Sequence, residues 1–500
     1  MVFEKGGTKM AKRLISKKLY RGSLFIVVFV LVMVLMLQNV HAQSINPKNW
    51  SPTWIGPAWE RPENMTTDGN ISLPGDVSLS QYIDPVTCKG CHPDIFNQWN
   101  GGMHSSALQD PVFQAASKAF LAAALQTNNQ GYIEEAKSCT RCHTPIGHLS
   151  KTVETSADDY AYFPADDLRS GIFCDFCHSV KSSAGIGNAP YKVEPGENAQ
   201  NPGTKRGPRN DSPATGYHTT AYSQLHTRSD MCGMCHDVTH TLNGMPIERT
   251  FTEWREGPYN TGNPETTVYC QDCHMRQKPG VPATGSTERP DNPGKSCSFG
   301  PQRPHIFTHY IAGGNAAIPA NETTKQLAIE RLQNCAELEI IAPQRLQLFK
   351  ANSFQVIVKN VGAGHYLPTG LSEAREMWLS VKVENPRGVK LFESGALDKD
   401  GNIDPNARIF NIVLADKDGN HTINVALADH IVSDTRIPPK GQSVETYAMS
   451  GSLKALRGAT ITATLRYRSA PQAVINRLLG PSAPVLPIID MATATKKTGS

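Results

Sequence analysis

Ten of the twelve cysteines in this chain belong to one repeated pattern, Cys-x-x-Cys-His. The five copies occupy residues 88–92, 139–143, 174–178, 232–236 and 270–274. Two thiols at this spacing can form thioethers with the two vinyl groups on one edge of a porphyrin, and the histidine that follows then binds the iron. Chance gives far less than one copy at this composition. The pattern therefore predicts covalent attachment of haem c.

One haem c is predicted for each motif, five in all. The cysteines predicted to form the thioethers are Cys88, Cys91, Cys139, Cys142, Cys174, Cys177, Cys232, Cys235, Cys270 and Cys273. The predicted proximal iron ligands are His92, His143, His178, His236 and His274. Zinc sites also use Cys-x-x-Cys pairs, but zinc does not need a histidine directly after each second cysteine. A redox-active dithiol is disfavoured for the same reason.

The second axial position of each iron separates an electron carrier from a catalyst. A second histidine there gives a low-spin iron suited to electron transfer, whereas an open position allows a substrate to bind. Outside the motifs and residues 1–42 the chain has ten histidines, twice the number that five haems need. They are His104, His148, His218, His226, His240, His305, His309, His365, His421 and His430. His421 and His430 are interpreted as ordinary histidines, because they lie far from the motifs in sequence.

The N-terminal segment predicts export. Residues 1–22 contain seven basic residues and one acidic residue, and the apolar run 24–37 and the sequence Val-His-Ala follow. This order is typical of a signal peptide cleaved after Ala42, which would release the protein into the periplasm or the extracellular space. The alternative is an uncleaved anchor helix, for which the apolar run is short. Export also suits haem attachment through cysteines.

The charge that remains after cleavage argues against nucleic-acid binding. The full chain has 49 Lys and Arg against 45 Asp and Glu, and residues 43–500 have 42 against 44. The basic character of the whole sequence therefore comes largely from the signal peptide. No later segment is apolar enough to cross a bilayer, so no membrane span is expected in the mature protein.

The hydrophobic pattern changes after Cys335 from a helical period to alternation. Segments 353–361, 376–384, 408–414 and 459–467 are predicted strands, and turns are predicted at 385–388, 400–401 and 418–419. This pattern predicts an all-β, Ig-like sandwich. Pro481, Pro484 and Pro487 mark the last segment as a trailing arm that packs over another domain or subunit.

The predicted architecture is multidomain, with a mainly α or irregular pentahaem-packing domain followed by the all-β Ig-like sandwich. Five large apolar cofactors leave little protein for an ordinary core, so the haems are expected to form it. Cys297 and Cys335 remain after haem attachment, and a disulfide between them is favoured in an oxidising compartment. The predicted segments are a signal peptide (1–42), an N-terminal extension (43–80), the pentahaem domain (81–335), the β-sandwich (336–470) and the C-terminal arm (471–500).

The region around the motifs resembles the multihaem cytochromes related to cytochrome c554. The resemblance covers roughly residues 81–320. It is carried by segments 99–107, 171–178, 225–232, 252–254, 270–275 and 309–315, which include Trp-Asn-Gly-Gly-Met-His-Ser-Ser-Ala and Gly-Ile-Phe-Cys-Asp-Phe-Cys-His. It implies a mainly helical haem-packing fold, two histidine ligands per iron and a role in electron transfer. It also implies that His104, His309 and His226 are distal ligands.

A glycine-rich loop at residues 362–370 links the β region to the haems. Its His365 can reach across an interface because glycines surround it, and similar Gly-His-x-x-Pro-Thr-Gly loops follow the haem region in related cytochromes. His365 is therefore a predicted distal ligand. The alternative is a plain turn. The remaining candidates for the fifth distal ligand are His148, His218, His240 and His305.

Three functions are compatible with these features. The leading hypothesis is an exported pentahaem c-type cytochrome that carries electrons along a chain of bis-His haems and exchanges them with other redox proteins or cytochromes. The second is a multihaem oxidoreductase that acts on a small nitrogen or sulfur compound at one open haem. The third is a subunit of an extracellular conducting filament, and so a homopolymer. An electron carrier is favoured over an enzyme.

Overall fold

The structure is a computed structural model that describes residues 71–153, 167–212, 216–347, 352–449 and 451–499. These residues belong to one compact unit. The predicted signal peptide and residues 43–70 of the predicted N-terminal extension lie outside the described residues. Within the described ranges, no helix combines the length and the apolar character that crossing a membrane requires.

The first half of the molecule consists of short helices joined by long loops. The helices are α1 (Pro85–Lys89), α2 (Pro93–Trp99), α3 (Pro111–Gln126), α4 (Gln130–Lys137), α5 (Thr140–His143), α6 (Pro145–Leu149), α7 (Cys174–Ser179), α8 (Asp230–Gly233), α9 (Thr250–Arg255), α10 (Cys270–His274) and α11 (Glu322–Leu332). Asp-Pro pairs begin two of them. Asp84 and Asp110 cap α1 and α3 through bonds from the backbone N–H groups two residues later.

Small two-stranded sheets lie among these helices. Their strands are β1 (Val180–Ser183) with β2 (Tyr191–Val193), β3 (Thr204–Gly207) with β4 (Thr219–Tyr222), and β5 (Val238–Thr239) with β6 (Pro246–Glu248). The β3–β4 pair is parallel and the other two are antiparallel. Buried apolar side chains in this half form several separate clusters, and the largest surrounds Phe96, Phe173 and Leu225.

The second half contains two larger antiparallel sheets. One has the strand order β14 (Gln442–Met449), β8 (Asn352–Asn360), β7 (Ala336–Ile341). The other has the order β10 (Lys390–Ser394), β9 (Glu376–Glu384), β15 (Thr460–Arg468), β16 (Ile489–Lys497). Alternate residues of both sheets, such as Val356, Val381 and Ala463, are fully buried in one shared hydrophobic cluster.

A third sheet, β12 (His421–Thr422), β11 (Ile412–Asp416), β13 (Ala428–Asp434), is inserted between β10 and β14. The strand predicted at 408–414 is therefore displaced. Arg408 and Phe410 exchange backbone hydrogen bonds with β9 before the chain crosses to pair with β13. The inserted sheet packs on the first half, where Ile412 and Leu414 share a cluster with Met245 and Ile247.

The segment predicted as a trailing arm is part of the folded structure. After α12 (Leu453–Leu456) and β15, helix α13 (Gln472–Leu479) packs against α3 of the first half. β16 then pairs with β15 along its whole length and contributes Ile489 and Met491 to the shared cluster. The prolines lie between α13 and β16, where they end the helix without preventing the last strand.

The predicted disulfide between Cys297 and Cys335 does not form, since both residues are free thiols. Cys335 is buried at the start of β7, and its thiol donates to the carbonyl oxygen of Leu332. Cys297 lies in a loop that packs on the first motif, where the N–H of Ser298 donates to the carbonyl oxygen of Cys91. The two thiols therefore lie in different parts of the fold.

Candidate haem-binding centre

Each Cys-x-x-Cys-His motif lies on or beside one of the short helices α1, α5, α7, α8 and α10. In the first, second and fourth motifs the histidine N–H donates to the carbonyl oxygen of the first cysteine, at 2.8, 3.1 and 3.0 Å. This hydrogen bond closes one helical turn. The turn places the two thiols and the imidazole on neighbouring positions, as attachment to one porphyrin edge requires.

All five motif histidines use the same ring nitrogen to contact the protein. Nδ1 lies 2.5 Å from the carbonyl oxygen of Ser296 in His92, 3.2 Å from that of Ala107 in His143, 2.6 Å from that of Arg206 in His178, and 3.0 Å from that of Ala312 in His274. In His236 it lies 3.3 Å from a carboxylate oxygen of Glu248. Because these oxygens only accept, Nδ1 carries the proton and Nε2 is left with its lone pair for iron.

Burial keeps most of these rings neutral, which is the form that binds a metal. Burial lowers the pKa of His143 and His178, and it lowers that of His274 well below the usual range. His236 differs. Burial opposes its charge, but the carboxylate of Glu248 outweighs that effect and raises the pKa of His236 to about 9.

Three motif histidines have a second histidine ring nearby. The ring centres are 6.3 Å apart for His236 and His104, 6.4 Å for His274 and His365, and 5.8 Å for His178 and His226. A metal–imidazole bond of about 2 Å places the ring centres of two opposed ligands about 6 Å apart. The residues present therefore fit an iron between paired imidazoles. Within the described ranges no group of three or more His, Cys, Asp or Glu side chains could hold a bare metal ion.

His104 is held by two segments that carry the resemblance described above. The indole of Trp99 donates to the carbonyl oxygen of Ile172 at 2.9 Å, and the N–H of Ile172 donates to that of His104, also at 2.9 Å. A Cβ on Gly171 would lie only 2.5 Å from the His104 carbonyl oxygen. Only glycine allows this approach, so the segment before the third motif fixes the loop of His104. Burial lowers the pKa of His104 to about 4.

The loop of His365 is held against the first half by a buried carboxylate. One oxygen of Glu253, on α9, accepts from the N–H of Tyr366 at 3.1 Å and from the hydroxyl of Thr369 at 2.7 Å. The other oxygen is paired with Arg436 at 2.5 Å. Asn360, at the end of β8, donates to the carbonyl oxygen of His365. The β region therefore places the ring of His365 next to that of His274.

His226, His309 and His218 lie around the first and third motifs. Nδ1 of His226 lies 2.8 Å from the hydroxyl of Ser223, and Nε2 lies 2.9 Å from the carbonyl oxygen of Cys177. Both its nitrogens thus contact protein, unlike those of His309, whose Nδ1 lies 3.1 Å from the carbonyl oxygen of Phe307. Burial, with His178 and then His92 as neighbours, lowers the pKa of His309 to about 4. Burial and the nearby His92 also lower that of His218.

Hydrogen bonds distinguish the other candidates. His240 and His305 both accept a backbone N–H at Nδ1, from Leu242 and Asn292 respectively. Nδ1 then has no proton to give, so the proton lies on Nε2 and blocks iron binding. His240 Nε2 also lies 3.2 Å from the carbonyl oxygen of Ala426. These bonds favour structural roles for both residues.

His148 keeps Nε2 available, because its Nδ1 lies 3.3 Å from the hydroxyl of Thr140. It follows its own motif too closely to reach the opposite face of the same porphyrin. Among the described residues, His92 and His143 have no second histidine ring at the distance seen in the three pairs. The ring of His143 stacks on Phe113 instead, with 3.9 Å between ring centres.

Contacts between motifs show which attachment sites are neighbours. Three pairs of thiols from different motifs lie close enough together to shift a pKa: Cys174 lowers the pKa of Cys88, Cys235 lowers that of Cys142, and Cys232 raises that of Cys270. The first motif therefore adjoins the third, and the fourth adjoins both the second and the fifth. The pKa of Cys235 is raised mainly by Cys142 and then by burial, and Cys177 also lies close enough for its charge to raise it. The fourth motif thus contacts or approaches three others.

The sequence alone did not indicate two functional candidates, Glu248 and Glu253. Glu248 gave no signal, because its role depends on pairing of β6 with β5 next to His236. Glu253 lies in the Thr-Glu-Trp segment that carries part of the resemblance, but its contacts with the His365 loop are visible only in the folded chain.

Comparison with known proteins found a matching family model and a similar solved structure. The family model "Cytochrome c554 and c-prime" matches residues 87–179, which include three of the five motifs. The structure is similar to the crystal structure of a penta-heme cytochrome c552 from Thermochromatium tepidum, with a TM-score of 0.54 and 20% sequence identity. The alignment covers 83% of this chain and 99% of that one. No curated protein sequence matches the chain.

Proposed function

We propose that this chain, a multihaem c-type cytochrome related to cytochrome c554, binds five haem c groups and moves electrons along them after export. Electron transfer as a general role agrees with the family match. The count of five and the bis-His ligation are inferred from the chain's own residues. When bound, haem supplies reversible one-electron chemistry at iron.

The pairing of histidine rings across three motifs carries this proposal. Iron held by two imidazoles changes oxidation state with little rearrangement, because both ligands are kept. Here His104 and His365 come from loops fixed by hydrogen bonds, so the protein holds the ligands in place before and after each electron. His104 is assigned to the iron of His236, and His365 to that of His274.

His226 and His309 are proposed as distal ligands near the first and third motifs. His226 lies beside His178, and His309 lies near both His178 and His92. Iron binding by His226 requires its Nε2 to leave the Cys177 carbonyl oxygen. His218, close to His92, is the alternative ligand for the first haem.

The electron route follows from the motif contacts. The first and third motifs form one neighbouring pair, and the second and fifth each contact the fourth. The approach of Cys177 to Cys235 joins the two groups. Electrons are therefore proposed to cross between the two groups through the site of the fourth motif. Other redox proteins are the proposed donors and acceptors.

The β region is proposed to be an Ig-like sandwich that supplies the distal ligand of the fifth haem. Its strand orders, β14-β8-β7 and β10-β9-β15-β16, give two antiparallel sheets around one hydrophobic cluster. This arrangement is expected for such a sandwich. The loop between β8 and β9 contains His365, so the sandwich has a role in the redox centre beyond docking.

The haem count is tested by the mass of the purified protein. We expect the mass of residues 43–500 plus five haem groups. A mass that includes four haems would mean that one motif is not used. The N-terminus of the same sample tests signal-peptide cleavage after Ala42, and sedimentation of the sample tests the filament hypothesis.

Ligation by His365 is tested with the variant His365→Ala. The variant should keep five haems, but one of them should become high-spin or water-ligated in its absorption and EPR spectra. The control is His430→Ala, since His430 is exposed and its ring Nδ1 lies 3.2 Å from the carboxylate of its neighbour Asp429. Identical spectra in both variants would contradict the assignment.

A second candidate function is catalysis at the haem of His143, where a small nitrogen or sulfur compound could bind. The observation that favours it is the stacking of Phe113 on His143, with no facing histidine ring in the described part of the chain. EPR of the fresh oxidised protein separates the two functions. A high-spin signal that nitrite or hydroxylamine removes would support catalysis.

A further inference from the structure

One motif histidine has a different kind of hydrogen-bond partner from the other four. Nδ1 of His92, His143, His178 and His274 faces a neutral backbone carbonyl oxygen. Nδ1 of His236 faces the carboxylate of Glu248 at 3.3 Å. A carboxylate is the stronger acceptor, because its oxygens share a full negative charge.

Glu248 is built into the site. It is the last residue of β6 and pairs with Val238, two residues after the histidine it contacts. Its side chain is only 14% exposed. The hydroxyl of Thr250 donates to the same carboxylate oxygen at 3.1 Å and thereby fixes its direction. The carboxylate therefore cannot readily turn away to solvent.

We propose that Glu248 is a positioning residue that gives the haem attached through His236 the lowest reduction potential of the five. This inference rests on the proposed function, in which His236 is an iron ligand. A carboxylate that accepts the Nδ1 proton raises the basicity of the imidazole, and the ligand then donates more electron density to iron. The buried negative charge adds to this effect, since it stabilises the oxidised iron more than the reduced iron.

The step involved is a one-electron exchange at iron. Fe(III) gains one electron from a neighbouring haem and becomes Fe(II), and it later returns that electron to the next haem. The two axial imidazoles remain bound, and the Nδ1 proton remains between His236 and Glu248. No bond is broken and no further reactant is needed.

The haem of the fourth motif lies between the two groups of haems, so its low potential affects electron transfer from one group to the other. The fourth motif contacts the second through Cys142 and Cys235 and the fifth through Cys232 and Cys270, and it approaches the third. Electrons that move between the two groups of haems must therefore pass the site that holds them least tightly. Glu248 thus sets the energetic barrier between the groups, and it leaves each group free to equilibrate internally.

The decisive variant is Glu248→Gln, which replaces the charge with a neutral amide of the same shape. In a spectroelectrochemical titration of the five-haem protein, we expect the lowest of the five potentials to rise. The expected change is about tenfold in that haem's reduction equilibrium, or about 59 mV for one electron. The other four potentials should stay within error.

The matched control is Glu135→Gln. Glu135 is also buried, and its carboxylate lies 4.0 Å from the ring of His240, which the hydrogen bonds above place in a structural role. Because Glu135 also lies near Cys139 of the second motif, this variant can affect the haem of that motif, but it should not move the potential that Glu248→Gln raises. If Glu248→Gln moves no potential, or moves the same one that Glu135→Gln moves, the inference is wrong.

A second variant keeps the test decisive if Glu248→Gln loses haem. Thr250→Val removes the hydroxyl that holds the Glu248 carboxylate toward His236, so the contact with His236 should weaken and the same potential should rise, by less than in Glu248→Gln. Absence of a shift in Thr250→Val would then contradict the inference. Failure of the proposed function is distinguishable, because it would appear in the unchanged protein as fewer than five haems or as no low-spin signal for the haem of His236.

Discussion

The two halves of this molecule obtain their stability in different ways. In residues 71–335 the helices are short and the buried apolar side chains form several small clusters. In residues 336–499 two sheets bury a single large cluster around fully buried residues such as Met377. The buried side chains of the first half do not form one continuous core, as expected if large cofactors fill its interior. The second half has an ordinary close-packed protein core.

This difference shows where a cofactor replaces a core. Covalently bound haem would supply apolar area that the first half lacks in its own side chains. The β region buries a hydrophobic cluster of its own, and it also contributes His365 and the Arg436 contact to the first half. The two halves therefore differ in the origin of their stability but meet where the ring of His365 faces that of His274.

The comparison is tested most strongly by removing one attachment site. The double variant Cys174→Ala/Cys177→Ala should lose one haem by mass and severely destabilise the first half, because no side chain can fill the volume of a porphyrin. Far-UV circular dichroism against temperature measures the loss. Cys335→Ala is the control, since this buried cysteine lies outside the motifs and five haems should remain. Normal stability of the double variant would refute the view that haems form the core.

A variant in the buried interior of the β region should destabilise that region and leave haem attachment unchanged. Trp378→Ala removes a fully buried ring whose indole donates to Gly395, and it should cost about 3–5 kcal/mol of unfolding free energy. Denaturant unfolding should show an earlier transition for the strands, with five haems still attached. Val444→Ala, at an exposed position of β14, should cost little. Loss of haem in Trp378→Ala would mean that the two halves do not fold separately.

The ion pair between Glu253 and Arg436 tests the connection between the halves. Both side chains are buried, so Arg436→Met should cost about 3 kcal/mol by leaving the carboxylate without its partner. The same variant should loosen the His365 loop, which Glu253 also holds, and should raise the high-spin fraction of one haem. Adding Glu253→Gln removes the uncompensated charge and should recover part of the stability. Equal stability of all three proteins would exclude the pair as a link.

The smallest effect is expected from Glu373, at the boundary of the two halves. Its carboxylate oxygens have no hydrogen-bond partner within the described residues, and burial raises its pKa to about 7. The folded protein therefore binds a proton that the unfolded chain releases near pH 4.5. Stability from this group is present below that pH and is lost as the pH rises to about 7, at most about 3 kcal/mol.

Glu373→Gln should remove this pH dependence, because the amide cannot ionise. Melting temperatures at pH 5 and pH 8 measure it: the difference between the two pH values should shrink in the variant. Glu339→Gln, at an exposed ion pair on β7, provides the background. An unchanged difference in Glu373→Gln would show that the buried carboxyl does not titrate in this range.

The sequence was most informative where structure depends on near neighbours. The motif spacing predicts two thiols and an imidazole on neighbouring positions, and in three motifs a backbone hydrogen bond closes the turn that places them there. The alternating pattern predicted β9 at residues 376–384 without error. The prediction of a trailing arm after Pro471 is wrong, because this segment ends in strand β16. Strand pairing with β15 decides that outcome, and pairing depends on residues far away in the chain.

Haem attachment is determined by the sequence itself, because two thioethers and one iron ligand come from five consecutive residues. The partner on the other side of each iron depends on tertiary structure. His104 meets His236, and His365 meets His274, only after loops distant in sequence have packed together. The same holds for Glu248, whose carboxylate acts on His236 through the pairing of two short strands. The chain's chemistry is thus fixed locally, and its ligand geometry is fixed by long-range packing.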